Sequence, residues 1–242
     1  MTGGEVIDKR YNPTDNINQY NILKIIGEGK YGIAYLAQDI DLNKYILKQL
    51  KNEMLEVTRK KLFYEEEILK NLDDNRFPKF IEKFNYEDNL IYVLDYIEGK
   101  DFEDILYEDE HEFSKEEIYD IAVQLIDIVE LLQKNSIIHR DLRTPNIILD
   151  RNNKLKLIDF GLARYIDDKK YVKEIDYWYI ADFLIHLYYS SYYKESDLDE
   201  RPWFEELDLN EKECLFLKKL MGIEGCYKSI DEIKKNFKYV IN

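Results

Sequence analysis

The sequence predicts an α+β fold of two lobes, a small antiparallel β N-lobe with one helix and a mainly helical C-lobe. Short strand-like apolar runs dominate roughly the first hundred residues, and helical spacing dominates the remainder. The two patterns meet at residues 95–99. Of the 242 residues, 45% are hydrophobic, which is enough to build a core. We expect residues 1–18 to form a flexible polar tail, 19–97 the N-lobe and 98–242 the C-lobe.

The N-lobe is expected to contain several strands and one helix. Each strand is a short apolar run, and Gly, Asn or Asp residues separate it from the next. The helix is predicted because apolar residues recur on one of its faces. The strands are predicted at residues 20–26, 33–37, 44–48, 80–84 and 90–94, and the helix at residues 53–72.

The C-lobe pattern is helical. Ser114 and Glu117 form a capping box, in which each side chain accepts a hydrogen bond from the other residue's backbone N–H. Apolar residues at helical spacing follow this box and predict a long helix. The most apolar run, residues 175–193, is interrupted by titratable residues such as Asp176, which favours a buried helix over a membrane span.

Charge and cysteine content argue against several classes of protein. The chain has 35 Lys and Arg against 50 Asp and Glu, a net charge of −15, which argues against a nucleic-acid-binding surface. Residues 1–15 lack the apolar stretch of a signal peptide, so no association with a membrane is expected. Cys214 and Cys226 form no CxxC pair, which favours a reducing compartment. We therefore expect a cytoplasmic protein.

Three glycines lie in the segment Gly27–Gly32, which we call the glycine loop. Glycine has no Cβ, so backbone N–H groups in such a loop can approach a phosphate closely. The dinucleotide-binding version of this spacing opens a helix. Here a strand pattern continues at residue 33, so a hairpin between two strands is predicted instead. The alternative is a glycine-rich turn with no ligand.

Lys48 lies at the end of the third strand pattern, and it is a candidate functional residue only if an acidic side chain pairs with it. A lysine after three apolar residues is commonly a solvated strand end, but Glu65 lies within the apolar stripe of the predicted helix. A carboxylate in that position must be paired, because an unpaired buried charge costs several kcal/mol. Glu65 is therefore the candidate partner of Lys48, whereas Glu66 and Glu67 are expected to be solvated.

The segment His139–Asn146, which we call the catalytic loop, reads His-Arg-Asp-Leu-Arg-Thr-Pro-Asn between apolar strand patterns. Asp159-Phe160-Gly161 begins 13 residues after Asn146, behind another strand pattern. Two acids and an asparagine on such loops supply the hard oxygen ligands that magnesium prefers, and a carboxylate that can orient a hydroxyl nucleophile.

Taken together, these motifs resemble those of the protein kinase family, from about residue 20 to residue 242. Five signatures occur in the family's order: the glycine loop, the strand lysine, the helix glutamate, the catalytic loop and Asp-Phe-Gly. The resemblance implies a two-lobed kinase-like fold with ATP bound between the lobes, and Mg²⁺ as the metal. Leu69, His139 and Phe160 resemble members of the packed column that marks an active state.

The resemblance also implies a role for each site residue. Asp141 resembles the catalytic base, supported by Lys48, Glu65 and Arg143, which stands where many kinases have lysine. Asn146 and Asp159 resemble the metal ligands. Within the ATP site, Leu94 resembles the gatekeeper, Asp95 to Ile97 the hinge, and Asp101 a ribose ligand. The full set implied for ATP binding is Gly27, Glu28, Gly29, Gly32, Ala34, Ile46, Lys48, Leu94, Asp95, Ile97 and Asp101.

Two departures from the family pattern bear on function. Protein kinases usually have valine at the position of Ala34 and alanine at the position of Ile46. One side of the adenine site is therefore smaller than usual and the other larger, a volume-conserving change that we expect ATP to tolerate. Only 16 residues separate Asp159 from Asp176, and they contain neither an A-P-E sequence nor a Ser or Thr. Activation by Ser/Thr phosphorylation of this segment is therefore excluded, and Tyr165 and Tyr171 are its only hydroxyl acceptors.

The same segment raises two expectations about contacts. Asp176 resembles the residue that anchors the backbone of His139 and Arg140. Without a phosphorylated Ser or Thr, the Arg140 side chain is expected to pair with a nearby acid. The candidates are Asp167, Asp168 and Glu174.

The function favoured by these motifs is an ATP- and magnesium-dependent Ser/Thr protein kinase of bacterial type, with a protein as substrate. Two alternatives stay open. The absent A-P-E region is also a property of small-molecule kinases on this scaffold, and a nucleotide-binding regulator with little catalysis would bind ATP without turnover. The sequence leaves the oligomeric state undetermined.

Overall fold

Antiparallel strands form the sheet of the N-terminal unit. The computed structural model describes residues 9–29, 32–51, 64–193 and 201–241, and the chain divides into two units, Met1–Ile97 and Glu98–Asn242. The sheet has six strands in the order β1-β2-β3-β4-β6-β5. The strands are β1 (Asn16–Ile17), β2 (Tyr20–Glu28), β3 (Gly32–Gln38), β4 (Lys44–Leu50), β5 (Phe80–Tyr86) and β6 (Asn89–Asp95).

Helix α1 comprises residues 64–71 of the described chain, and residues 53–63 of the predicted helix lie outside the described residues. The predicted α+β fold with an antiparallel N-terminal sheet is confirmed. One face of the sheet carries the apolar core of this unit, because alternate side chains of a strand point to opposite faces. The core residues are Tyr11, Ile17, Tyr20, Ile22, Ile33, Tyr35, Ala37, Leu47, Ile91 and Val93.

The prediction of a flexible tail over residues 1–18 is wrong for residues 9–18; residues 1–8 lie outside the described residues. Tyr11 is only 2% exposed and Ile17 is fully buried, and β1 pairs with β2. The Gln49 side chain, also fully buried, donates a hydrogen bond to the Lys9 carbonyl oxygen at 2.9 Å. The segment is ordered because its isolated apolar residues complete the core of the sheet.

The C-terminal unit is mainly helical, as predicted. Its helices are α2 (Phe102–Tyr107), α3 (Lys115–Lys134), α4 (Glu174–Tyr189), α5 (Trp203–Glu206), α6 (Glu211–Leu220) and α7 (Ile230–Val240). Five short strands form two small sheets, one of β7 (Lys100–Asp101), β9 (Ile147–Leu149) and β10 (Leu155–Leu157), the other of β8 (Ile137–Ile138) and β11 (Arg164–Tyr165).

Helix α3 begins as its sequence predicts. Ser114 Oγ accepts a hydrogen bond from the Glu117 backbone N–H at 3.2 Å, and the Glu117 carboxylate accepts one from the Ser114 N–H at 2.8 Å. Helix α4 contains most of the predicted apolar run of residues 175–193, and the helix ends at Tyr189, four residues before that run does. Throughout the described part of the chain, every helix is too short or too polar to cross a membrane.

Candidate active site

Lys48 and Glu65 form the predicted ion pair in the N-terminal unit. Lys48 Nζ lies 2.5 Å from Glu65 Oε1, and both side chains are mostly buried. Strand β4 positions the lysine, whose pairing partner on β3 is Ala34. Because the pair is largely shielded from water, its charges interact more strongly than those of an exposed pair. The pair fixes the lysine ammonium on the sheet face opposite the apolar core.

Glu66, the neighbour of Glu65, is buried rather than solvated, so the sequence prediction for it is wrong. Its carboxylate lies 2.7 Å from Lys70 Nζ on α1 and 2.5 Å from Lys83 Nζ on β5. Burial raises the pKa of Glu66, but the hydrogen bonds from the two lysines outweigh burial and hold that pKa below its usual range. Glu66 therefore joins α1 to the sheet beside the Lys48–Glu65 pair.

The three positions of the glycine loop differ in why each is occupied by glycine. A Cβ on Gly32 would stand 2.2 Å from the Gln49 carbonyl oxygen, so β3 and β4 exclude any side chain there. At Gly27 and Gly29, no described heavy atom lies within 4 Å of the Cβ position, and neither residue has a positive φ. Of these three positions, only that of Gly32 requires glycine because of contacts within the described chain. The open space at the other two fits a ligand that approaches the backbone.

Glu28, between these glycines, already has partners in the chain. Its carboxylate accepts hydrogen bonds from Arg10 and, at 3.2 Å, from Lys51. The hydrogen bond from Lys51 is the main cause that holds the pKa of Glu28 below its usual range. These contacts hold the side chain at the edge of the sheet.

The residues predicted to contact adenine lie on β3, β4 and β6. Ile46 on β4 pairs with Leu36 on one side and with Leu94 on the other. Ala34 and Ile46 are half-buried, and Leu94 is buried. The exchange of small and large residues therefore occurs within one sheet, where neighbouring strands can accommodate it.

The hinge residue Asp95 ends β6 and Ile97 lies two residues beyond it, and both are half-buried. The Asp95 backbone N–H donates to the Lys79 carbonyl oxygen at 3.1 Å, and the Asp95 carboxylate accepts from the Lys79 N–H. Burial raises the pKa of Asp95. This reciprocal pair of bonds fixes the backbone at the start of the hinge.

In the C-terminal unit, Asp141 is the centre of a polar cluster within the catalytic loop. Its carboxylate accepts a bidentate pair of hydrogen bonds from the Arg143 guanidinium, the one from Nη2 at 3.0 Å. Asn146 Nδ2 donates to Asp141 Oδ2 and to the Asp141 carbonyl oxygen, each at 2.9 Å. Asp141 and Asn146 are buried, so the carboxylate is held in one orientation before any substrate binds.

Asp159 and His139 lie on backbone joined to the same cluster. Asp159 has the left-handed φ of 60°, which is uncommon outside glycine and typical of functional sites. The ring of Phe160, the next residue, packs edge-on against His139 with centroids 4.8 Å apart. His139 Nε2 lies 3.1 Å from the Ile158 carbonyl oxygen, and the Ile158 N–H donates to Asn146 O at 2.9 Å. These contacts tie the Asp-Phe-Gly segment to the catalytic loop.

Asp176 anchors the catalytic loop as predicted. The side chain is fully buried, and its two oxygens accept hydrogen bonds from the backbone N–H groups of His139 and Arg140, both at 2.8 Å. Arg140 has a φ of 70°, so these bonds hold a backbone conformation that is otherwise unfavourable. Burial raises the pKa of Asp176 to about 6, because removal from water disfavours the charged form.

Comparisons with known proteins assign the chain to a family. The family model described as protein kinase domain matches residues 20–198. The chain belongs to the protein kinase family. It is 34% identical over 232 residues to the "Probable serine/threonine-protein kinase YbdM" of Bacillus subtilis, an alignment that covers 93% of this chain and 90% of the relative.

Two eukaryotic relatives match this protein kinase over a smaller share of their length. "Serine/threonine-protein kinase 36" of Mus musculus is 28% identical over 87% of this chain and 15% of its own. "Titin homolog" of Caenorhabditis elegans is 30% identical over 70% of this chain and 1% of its own. The chain thus spans nearly the whole of the bacterial relative and a small part of these two.

The kinase differs from its sequence prediction at Arg140. The expected acidic partner is wrong: Arg140 Nη1 donates to the Leu162 carbonyl oxygen at 3.0 Å, and its guanidinium lies 4.9 Å from the centre of the Tyr171 ring. Asp167 instead accepts hydrogen bonds from the backbone N–H groups of residues 169–171. The Arg140 guanidinium therefore contacts the aromatic ring of Tyr171, whereas an ion pair with an acidic side chain was expected.

Asp101 has a structural role in this kinase that the sequence analysis missed. Its Oδ1 accepts a hydrogen bond from the Asp104 N–H at 2.9 Å and caps α2. The signal was present in the sequence, since an aspartate before a short apolar helix with acidic residues in its first turn is a common N-cap. Burial raises the pKa of Asp101. The predicted ribose contact must share this carboxylate with the helix.

Proposed function

We propose that this protein kinase is an ATP- and magnesium-dependent enzyme that phosphorylates Ser or Thr hydroxyl groups of proteins. The observation that carries the proposal is the buried Asp141 carboxylate, oriented by Arg143 and Asn146. The bacterial relative that aligns over nearly its whole length is named as a probable Ser/Thr kinase. The Ser/Thr choice follows that relative, and the mechanism follows the site.

The proposed reaction joins the acceptor oxygen to the γ-phosphorus of ATP. Asp141 receives the proton of the acceptor hydroxyl as the new O–P bond forms and the bond from the γ-phosphorus to the ADP oxygen breaks. Lys48 holds the α- and β-phosphates, and the ion pair with Glu65 keeps its ammonium in place. Arg143 supplies positive charge beside Asp141 and offsets charge on the transferred group.

The donor atoms fit magnesium. Both hydrogen bonds from the Asn146 amide to Asp141 leave through Nδ2, so its Oδ1 is the oxygen directed away from the base. Asp159, exposed at the start of the Asp-Phe-Gly segment, adds a carboxylate. Asn146 and Asp159 would hold the ion, which when bound neutralises phosphate charge. Hard oxygen donors of this kind match that ion.

A second candidate function is phosphorylation of a small molecule. The observation in its favour is the short stretch between Asp159 and Asp176, which lacks an A-P-E sequence. The catalytic loop and the Asp-Phe-Gly segment favour a protein substrate, as does the length of the match to a kinase named for Ser/Thr. A nucleotide-binding regulator is disfavoured because each implied catalytic position is filled.

The test incubates the purified chain with γ-labelled ATP, magnesium and a general protein substrate, beside Asp141→Asn. Loss of the general base should lower initial rates by a factor of about 10² to 10⁴. Asp120→Asn is the matched control, because Asp120 is an exposed aspartate on α3. Equal rates for wild type and Asp141→Asn would contradict the assignment. ADP release that only a small hydroxyl compound stimulates would favour the second candidate.

A further inference from the structure

Three residues on neighbouring strands form a row across the sheet at the base of the glycine loop. Glu28 on β2 pairs with Ile33 on β3, and Ile33 pairs with Gln49 on β4. Side chains of directly paired residues point to the same face of a sheet. Ile33 and Gln49 are buried on the core face, and Glu28 is the exposed end of the row. We call these three residues the base row.

The base row contacts the glycine loop directly. A Cβ on Gly32 would clash with the Gln49 carbonyl oxygen, and the Gly29 N–H donates to the Gly32 carbonyl oxygen at 2.9 Å. Glu28 lies between Gly27 and Gly29 in the chain. A shift of the base row would therefore move the backbone N–H groups that we expect to approach the phosphates.

Residues 9–11, which we call the N-terminal strap, are attached to the buried end of the base row. Gln49 Nε2 donates a hydrogen bond to the Lys9 carbonyl oxygen at 2.9 Å. The Tyr11 backbone N–H donates to the Tyr35 hydroxyl oxygen at 3.3 Å, and that hydroxyl donates to Gln49 Oε1 at 2.9 Å. Gln49 is fully buried, so loss of these bonds would leave polar groups unsatisfied in the core. The strap is therefore firmly held at this end.

Arg10 connects the N-terminal strap to the exposed end of the base row. Its guanidinium donates a hydrogen bond to the Glu28 carboxylate, which also accepts one from Lys51 Nζ at 3.2 Å. The Arg10 side chain is 63% exposed and that of Glu28 is 34% exposed, so water partly screens the pair. Ion pairs of this kind change an equilibrium constant by up to about fivefold. The contact can therefore bias the position of the glycine loop without being needed for the fold.

We propose that Arg10 is a positioning residue for ATP, which through Glu28 holds the glycine loop in the conformation that receives the phosphates. This inference rests on the ATP dependence of the proposed function. The strap is anchored at Gln49, so the Arg10 side chain reaches Glu28 from a fixed point on the sheet. Loss of the Arg10 side chain should weaken ATP binding and leave phosphoryl transfer from bound ATP unchanged.

The test is a double-mutant cycle of wild type, Arg10→Ala, Glu28→Ala and the double variant. For each protein, initial rates give the KM for ATP and kcat, and calorimetry gives the dissociation constant of ADP with magnesium. Arg10→Ala should raise the KM and the dissociation constant by about two- to fivefold, and kcat and the Tm should not change. In the Glu28→Ala background, the same change should have no further effect. Arg10→Lys keeps a cation for Glu28 and should restore most of the affinity.

Lys9→Ala is the matched control. Lys9 is the neighbouring cation of the strap, but its Nζ pairs at 2.7 Å with Glu87 between β5 and β6, and β3 and β4 separate that turn from Glu28 in the sheet. This variant should keep the wild-type affinity for ATP. An equal loss of affinity in Lys9→Ala would overturn the inference, because the change would then act through the attachment of the strap. An Arg10→Ala effect that persists in Glu28→Ala would also overturn it, because Arg10 would then act on the phosphates directly.

The proposed function and this inference fail in different ways. If wild type binds no nucleotide and incorporates no label from ATP, the proposed function fails and the inference fails with it. If wild type binds nucleotide and phosphorylates a protein, but Arg10→Ala has wild-type affinity, only the inference is overturned. The calorimetric comparison needs no acceptor, so it decides the role of Arg10 whichever hydroxyl group is phosphorylated.

Discussion

The catalytic loop and the described glycines of the glycine loop differ in how closely the rest of the chain contacts them. In the catalytic loop, the Asp141 carboxylate accepts hydrogen bonds from Arg143 and Asn146. The Asp176 carboxylate accepts a hydrogen bond from the His139 backbone N–H. In the glycine loop, the Cβ positions of Gly27 and Gly29 meet no described atom. The chain itself therefore preorganises the first loop. In the second loop, the described chain leaves open space at Gly27 and Gly29, which is expected where a ligand approaches the backbone.

The largest expected effect is on the catalytic loop. Asp176→Ala removes the acceptor of two backbone N–H groups, one buried and one partly buried, and an unsatisfied buried N–H group costs about 1–3 kcal/mol. We therefore expect a loss of about 2–6 kcal/mol in the free energy of unfolding, together with loss of turnover. Urea unfolding measures the first and labelled-ATP incorporation the second. Unchanged stability would show that the loop keeps its conformation without this anchor.

Asp176 also makes the free energy of unfolding depend on pH. Its folded pKa of about 6 lies above the ordinary value of 3.8, so the folded state binds this proton more tightly. The contribution of the group to stability is then fully present below pH 3.8 and is lost as pH rises through 6. Relative to Asp176→Asn, which does not titrate, the wild-type free energy of unfolding should fall between pH 4 and pH 7. An unchanged difference would contradict the raised pKa.

The second effect concerns the N-terminal unit. Lys48→Met removes the cation that we assign to the phosphates, and loss of one such stabilising group lowers turnover by about 10² to 10³. Initial rates at saturating ATP measure this. Lys44→Met is the matched control, because Lys44 lies at the exposed other end of β4. If both variants lose activity equally, the change acts through the strand and not through the phosphates.

How far the sequence alone could predict the structure depends on whether a contact belongs to a recognisable motif, and not on its range. The Lys48–Glu65 pair and the anchor at Asp176 span 17 and 37 residues, and both were predicted because their residues belong to motifs that resemble those of the protein kinase family. The burial of Glu66 was missed because no motif marks its partner Lys83, which is 17 residues away on strand β5. Only the folded chain brings these two residues together.

The other errors have the same cause. Tyr11 and Ile17 stand alone among polar residues, so no periodicity marks them, yet the sheet buries both. The Arg140 contact with Tyr171 joins residues that share no pattern. The metal and nucleotide roles stay predictions, since they concern atoms that the chain does not contain.

A third effect separates the glycines from one another. Gly32→Ala should destabilise the N-terminal unit by about 1–3 kcal/mol, the usual cost of overpacking, because its Cβ would meet the Gln49 carbonyl oxygen. Gly29→Ala should leave stability nearly unchanged and raise the KM for ATP, since the added methyl group fills space that we assign to the phosphates. Thermal unfolding and ATP kinetics distinguish the two. Equal ATP kinetics in Gly29→Ala and wild type would remove the ligand explanation for the open space.

The smallest expected effect distinguishes the N-cap role of Asp101 from its predicted contact with ribose. Asp101→Ala should cost about 1 kcal/mol, the usual value of an N-cap, and should also raise the KM for ATP. Asp101→Asn keeps an oxygen for the Asp104 N–H, and asparagine caps helices about as well as aspartate, so stability should return. An ATP KM that stays raised in Asp101→Asn would then belong to the ribose contact, because the helix is restored. If the KM is normal in both variants, Asp101 serves the helix alone, and the ATP site must be held by the sheet, Lys48 and the hinge.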